Sequence, residues 1–213
     1  MRIASQGFKF IAAGAVAAAA GLLIHQALDL RWLGIVVFAA GMLFTAFCIY
    51  FFRDPERLLP QNPSWIYSPG DGTVLSVSPE SPDNSVRIRI FLSIFNVHIQ
   101  RSPCTGRVQA VDYRPGSFLA AMKDGAKNNE RCALTLAPEN NRGKIVSEQI
   151  AGLVARRIEC WPKPGQTLRA GERYGIIYFG SQAAVTLPHG ASALVKPGDK
   201  VKAGITPIAE WIK

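Results

Sequence analysis

Lys163-Pro164-Gly165-Gln166-Thr167-Leu168-Arg169-Ala170-Gly171 recurs 33 residues further on as Lys196-Pro197-Gly198-Asp199-Lys200-Val201-Lys202-Ala203-Gly204. In each copy a Pro-Gly turn and an Ala-Gly turn bracket an apolar residue followed by a basic one. Proline fixes φ and glycine reaches the left-handed region, so the unit reads as turn, short strand, turn. The chain around it continues in the same manner from Arg53 onward. Short apolar or alternating runs at 73–77, 85–94, 107–113, 131–137, 144–148, 154–160, 174–179 and 183–187 are separated by Gly/Pro signals. Val86-Arg87-Ile88-Arg89-Ile90 alternates, which predicts a half-exposed strand, and 95–99 reads as its continuation. Regular short strands with such turns predict a mainly β body, a barrel or a sandwich.

Ahead of this body the composition changes. Residues 1–52 carry only Arg2, Lys9, Asp29 and Arg31 as charged side chains, whereas 53–213 hold 21 basic and 14 acidic residues. Two apolar stretches, 10–28 and 33–52, lie on either side of a four-residue linker, Asp29–Trp32. About 20 helical residues cross the roughly 30 Å hydrocarbon core of a bilayer. The close spacing, and the lack of a persuasive cleavage site between the stretches, predict a helical hairpin rather than a signal peptide. Arg2 and Lys9 flank one end and Arg53 and Arg57 the other, so the expectation is a cell-membrane protein with its body on the cytoplasmic side.

The paired repeat units resemble the turn units of lipoyl- and biotinyl-type barrel-sandwich domains, which implies a barrel-sandwich-like body and says nothing of function. Cys48, Cys104, Cys132 and Cys160 are widely spaced, with no CxxC pair and no Cys/His cluster. A cytoplasmic face keeps thiols reduced, so all four read as structural and no metal is expected. The net charge of +9 and pI near 9.7 suit an anionic lipid surface. Nucleic acid is the competing partner, but no aromatic-basic motif supports it.

Three residue types offer chemistry. In Phe179-Gly180-Ser181-Gln182 the glycine leaves its carbonyl open to a neighbouring hydroxyl, and Ser181 can attack it. His98, in Phe95-Asn96-Val97-His98, and Asp71, in Ser68-Pro69-Gly70-Asp71-Gly72, are by themselves a strand-end histidine and a turn former. Together Ser, His and Asp can act as nucleophile, base and orienter wherever folding joins them.

The motifs in order carry a resemblance. Arg53-Asp54-Pro55-Glu56-Arg57, Ser68-Pro69-Gly70-Asp71-Gly72-Thr73, Phe91-Leu92-Ser93-Ile94-Phe95-Asn96-Val97-His98, Pro103-Cys104-Thr105-Gly106 and Phe179-Gly180-Ser181 are similar to the membrane-associated phosphatidylserine decarboxylase proenzymes, in their short form. The resemblance runs from about Phe51 to the C-terminus. It implies self-cleavage between Gly180 and Ser181 into a β chain, 1–180, and an α chain, 181–213, which stay together as a heterodimer. Ser181 would become a pyruvoyl cofactor that forms a Schiff base with the amine of phosphatidylserine and draws electrons as CO₂ leaves, giving phosphatidylethanolamine. Asp71 and His98 would support catalysis. Two features depart from longer members: Arg101 stands where they carry a second histidine, and Phe179-Gly180-Ser181-Gln182 stands where they read Leu-Gly-Ser-Thr. His189, in Leu187-Pro188-His189-Gly190, matches no motif and reads as a loop residue.

Two rivals remain at this level. One is a non-enzymatic, membrane-tethered barrel-sandwich carrier, for which Met122-Lys123 resembles a biotinyl tip; the other is a hydrolase using Ser181, His98 and Asp71 as a stable triad, without a G-x-S-x-G elbow.

Overall fold

A computed structural model describes residues 2–27, 30–59, 62–80, 85–116, 129–139, 142–152, 157–179 and 181–212. It comprises two compact units, Met1–Glu56 and Arg57–Lys213.

The first unit contains β1 (Arg2–Ile3), α1 (Phe8–Ala27), α2 (Arg31–Phe51) and β2 (Arg53–Asp54). Antiparallel pairing of Arg2 with Asp54 and Ile3 with Arg53 joins the two ends of the helical hairpin. Glycine makes the helix–helix seam. A Cβ on Gly21 would lie 2.4 Å from the Phe38 nitrogen, and one on Gly34 2.5 Å from the His25 nitrogen, so only bare backbone allows this approach. The large side chains point the other way: Val16, Leu23, Val36 and Leu43 are each at least 60% exposed within this structure. Both helices are long and apolar enough to cross a bilayer.

The second unit is mainly β. Its strands are β3 (Trp65–Tyr67), β4 (Gly72–Glu80), β5 (Ser85–Leu92), β6 (Ile99–Arg101), β7 (Gly106–Arg114), β8 (Arg131–Pro138), β9 (Ile145–Ala151), β10 (Ile158–Cys160), β11 (Thr167–Leu168), β12 (Arg173–Ile177), β13 (Ser181–Leu187), β14 (Ala191–Ala193), β15 (Lys200–Val201) and β16 (Pro207–Trp211). Eight form one sheet in the order β11-β7-β8-β9-β13-β5-β4-β15, and two three-stranded sheets run β10-β12-β6 and β14-β16-β3. Every pairing is antiparallel, and the inward rows of Ile88, Ile90, Leu92, Leu134, Leu136 and Ile145 are fully buried. Each such side chain contributes about 1.5–3 kcal/mol by leaving water.

The KPG units occupy the two opposite edges of the large sheet, as β11 and β15, and they mark a duplication of the whole unit. Exchanging β11 with β15, β7 with β4, β8 with β5 and β9 with β13 leaves the strand order unchanged. The hydrogen bonds follow. Val108 N donates to Gln166 O at 2.8 Å and Val74 N to Asp199 O at 2.9 Å; Gly171 N donates to Ser102 O and Gly204 N to Ser68 O, both at 2.8 Å. Register shifts recur too, between Val108 and Ala110 in one half and between Val74 and Ser76 in the other. The two small sheets share a bulge, Arg173/Gly175 against Pro207/Ala209.

One expectation is corrected. Residues 95–99 do not extend the preceding strand: β5 stops at Leu92, and Ser93 to Asn96 turns the chain before β6 begins at Ile99. Asn96 N donates to Ser93 O at 2.8 Å, and the Asn96 side-chain oxygen accepts from Ser93 N at 2.9 Å. These local bonds offer the backbone an alternative to the ladder.

Candidate active site

Ser181 opens β13, the strand beside the centre of the large sheet, with Leu92 of β5 as its register partner on one side and Ala151 of β9 on the other. Just before it, Phe179 has φ +57°. A bulky side chain in the left-handed region is strained, at a cost of order 1–3 kcal/mol. Gly180 lies outside the described residues, as do Met122 and Lys123. Residues 93–97 leave Leu92, opposite Ser181, and end at His98, whose carbonyl accepts Ile177 N at 3.3 Å, four residues before Ser181 in the chain. The turn that interrupts the expected strand therefore places the backbone of His98 against Ile177.

His98 is 1% exposed, and its Nδ1 lies 3.0 Å from the Asn96 carbonyl. A carbonyl only accepts, so Nδ1 carries the hydrogen and Nε2 is the basic nitrogen of the neutral ring.

Asp71 sits in the turn between Ser68 and Gly72, which packs on the same corner: Arg101 N donates to Pro69 O at 2.8 Å. Its carboxylate is engaged on three sides. Arg57 donates to Oδ1 from Nη1 at 2.7 Å and to Oδ2 from Nη2 at 2.8 Å, and Ala203 N donates to Oδ1 at 2.8 Å. The two side chains are 6% and 12% exposed, so this is a buried, bidentate ion pair. None of these bonds reaches His98.

The remaining sequence candidates fall elsewhere. Arg101 is buried and donates from Nη1 to Gly171 O at 2.9 Å, fixing the Ala-Gly turn of the first repeat. His189 is exposed in the turn after β13. All four cysteines are free, and no cluster of three His, Cys, Asp or Glu exists among the described residues. Burial raises the Cys104 thiol to about 12. Cys160 hydrogen-bonds to Cys132, which holds the Cys132 thiol below its ordinary range and pushes that of Cys160 above it.

Two further polar side chains, Gln100 on β6 and Gln149 on β9, are fully buried in this unit. Glutamine mid-strand carries no motif, and only the duplication singles them out. A sequence signal for that duplication does exist: Ser68-Pro69-Gly70-Asp71-Gly72 and Ser102-Pro103-Cys104-Thr105-Gly106 stand 34 residues apart. A cavity of about 690 Å³, lined by Trp65, Trp211, Thr105, Arg169, Pro138 and Leu59 among others, lies around Thr105. It is the duplicate of the Asp71 corner, at the far end of the large sheet from Ser181.

Phe179, at φ +57°, precedes the Gly180-Ser181 pair in the chain, and His98 is a buried histidine whose ring hydrogen lies on Nδ1. The phosphatidylserine decarboxylase family model matches residues 44–209. A phosphatidylserine decarboxylase proenzyme of Desulfotalea psychrophila is 41% identical over 177 residues, covering 80% of this chain and 82% of its own length. That of Beijerinckia indica subsp. indica is 43% identical over 214 residues, covering 96% and 88%. The chain belongs to the phosphatidylserine decarboxylase family, and is an enzyme.

Proposed function

We propose that this chain is a membrane-bound proenzyme that cuts itself between Gly180 and Ser181 and then decarboxylates phosphatidylserine to phosphatidylethanolamine and CO₂. The observation that carries the reading is the strained φ of +57° at Phe179, next to the glycine whose carbonyl would be attacked. The Ser181 hydroxyl adds to the Gly180 carbonyl, and the C–N bond gives way to an ester. Elimination then releases 1–180 as a carboxylate, and hydration of the new α chain expels ammonia and leaves a pyruvoyl end at 181. Ground-state strain in the scissile segment lowers the barrier to the first step.

The residues present fit such a group. Position 181 sits between two ladder partners, Leu92 of β5 and Ala151 of β9, and Gln149 lies two residues from Ala151, so a group formed there is held in the sheet. When present, the pyruvoyl group supplies the electron sink for loss of CO₂. His98, basic at Nε2, takes the Ser181 proton during cleavage and returns a proton to substrate carbon afterwards. Asp71, locked to Arg57 and Ala203, holds the 68–72 turn against this corner. The stable-triad hydrolase loses support from the same ion pair, because the Asp71 carboxylate orients Arg57 rather than the imidazole.

The first unit supports membrane anchoring. Small residues line its helix seam and large apolar ones face outward, the distribution that lipid favours. Basic residues flank both outer ends, which puts the body on the cytoplasmic side, and Lys or Arg near an anionic surface adds about 1 kcal/mol each. The reading is tested by incubating the full chain with phosphatidylserine vesicles and by treating it with a carbonyl reagent such as phenylhydrazine. Phosphatidylethanolamine should form and fragment 181–213 should be labelled. Lipid turnover without a reactive carbonyl would sink the cofactor assignment.

A further inference from the structure

Two fully buried glutamines toward the Ser181 end of the large sheet have amide atoms with no hydrogen-bond partner among the described residues, and the duplicated half of the fold does without them. Gln149 is 0% exposed, and neither its Oε1 nor its Nε2 has a hydrogen-bond partner among the described residues. Gln100 is also 0% exposed; its Nε2 donates to His98 O at 3.3 Å, which fixes the amide's orientation and leaves Oε1 without a donor. Buried polar atoms are nearly always paired, since an unpaired one is destabilising.

The paired registers show what these positions hold elsewhere. Gln100 on β6 corresponds to Ile66 on β3, Gln149 on β9 to Leu187 on β13, and Gly175 on β12 to Ala209 on β16. All three counterparts are buried and apolar. The exchange is concerted, because a Cβ at position 175 would come within 2.1 Å of Gln149 Nε2; the glycine makes room for the amide. The architecture therefore accepts isoleucine and leucine here, and one half carries amides instead.

Their location gives the reason. Gln149 is two residues from Ala151, the β9 partner of Ser181. A Cβ on Gly70 would meet Gln100 Oε1 at 3.2 Å and Leu92 Cδ1 at 3.3 Å, and Leu92 is the β5 partner of Ser181. The two amides thus flank the Ser181 row from two sides, and both converge on Gly175, the register partner of Gln100.

We propose that Gln100 and Gln149 form the polar pocket for the serine head group of the lipid, a proposal that rests on the decarboxylase reading above. Gln100 Oε1 accepts from the substrate amino group, and Gln149 Nε2 donates to its carboxylate. Both partners are neutral. A cationic partner would hold the ionised carboxylate most tightly in the ground state and oppose its departure as CO₂, whereas an amide recognises it without that penalty.

The test uses the full chain in detergent micelles containing phosphatidylserine, with Gln149→Met and Gln100→Met, which keep volume and remove the amide. Fragments 1–180 and 181–213 should still form, Tm should stay level or rise, and KM should increase about five- to tenfold for each. Leu187→Met, at the duplicate position, should leave KM alone. A lower Tm with unchanged KM would overturn the proposal, because the amides would then be structural and bridged by water. Should the Met variants fold poorly, Gln149→Glu keeps the shape. Its KM should rise at neutral pH and fall back as the carboxylate is protonated, and a KM flat with pH would overturn the proposal as well. A wild-type chain that is neither cut nor active on the lipid overturns the decarboxylase reading itself, and this pocket with it.

Discussion

Asp71 and Thr105 hold equivalent backbone amides in the two halves of the duplicated domain: Asp71 Oδ1 accepts Ala203 N at 2.8 Å, and Thr105 Oγ1 accepts Ala170 N at 3.0 Å. A hydroxyl suffices to dock the Ala-Gly turn of one repeat. The other half uses a carboxylate and adds Arg57, whose Nη1 also donates to Ala203 O at 2.6 Å. Turn docking therefore accounts for an acceptor at position 71, but not for its charge.

That distinction can be measured. Asp71→Asn keeps an acceptor for Ala203 but leaves Arg57 buried without its counter-ion, and should cost about 3–5 kcal/mol in denaturant unfolding. The double change Asp71→Thr with Arg57→Met copies the Thr105 half and should recover most of that stability. If the charge serves catalysis, the stable double variant remains slow in self-cleavage or decarboxylation. Full activity in it would reduce Asp71 to a turn residue.

Phe179 provides a second test. Glycine adopts φ +57° without the Cβ penalty, so Phe179→Gly relaxes the segment before the scissile bond. Removal of order 1–3 kcal/mol of ground-state strain should slow self-cleavage roughly 5- to 150-fold, followed as the decay of intact chain. A rate equal to wild type would separate the strain from the chemistry.

Thiol chemistry should follow burial. Burial raises Cys104 from its ordinary 9.0 to about 12, because the thiolate is the disfavoured form. The neutral thiol's contribution to stability is present below pH 9 and fades as pH rises toward 12. At pH 9, iodoacetamide should modify Cys104 in the urea-unfolded chain and spare it in the folded one, by peptide mass mapping. Comparable labelling of both would contradict the buried environment.

Cleavage should not separate the two fragments. Residues 181–213 contain β13, which is laddered to β9 and β5, together with β14, β15 and β16, each paired with another strand. The fragments should co-elute by size exclusion without denaturant and part only in it. Dissociation in native buffer would argue that 181–213 is not knitted into the sheet.

Local chemistry made much of the architecture legible in the sequence. The Pro-Gly and Ala-Gly turns of the repeat announced β11 and β15, and the Val86–Ile90 alternation announced β5. Two charge-poor stretches announced α1 and α2. At 95–99 periodicity misleads, because Val97 and Ile99 continue an apolar pattern while Ser93 and Asn96 form the turn with side-chain bonds that periodicity does not register. Ser181, His98 and Asp71 stand out in the sequence only through motif order, since each is ordinary alone. Gln100 and Gln149 were not found, because an unsatisfied amide exists only once the strands are paired and its hydrogen-bond partners can be counted.

The most direct measurement is the intact mass of the detergent-purified full chain beside its Ser181→Ala variant. Wild type should yield fragments 1–180 and 181–213, the latter lacking a free amine at its first residue, and the variant should remain whole. A single uncut wild-type chain with its fold intact would contradict the account, and Ser181 would then be no cofactor precursor.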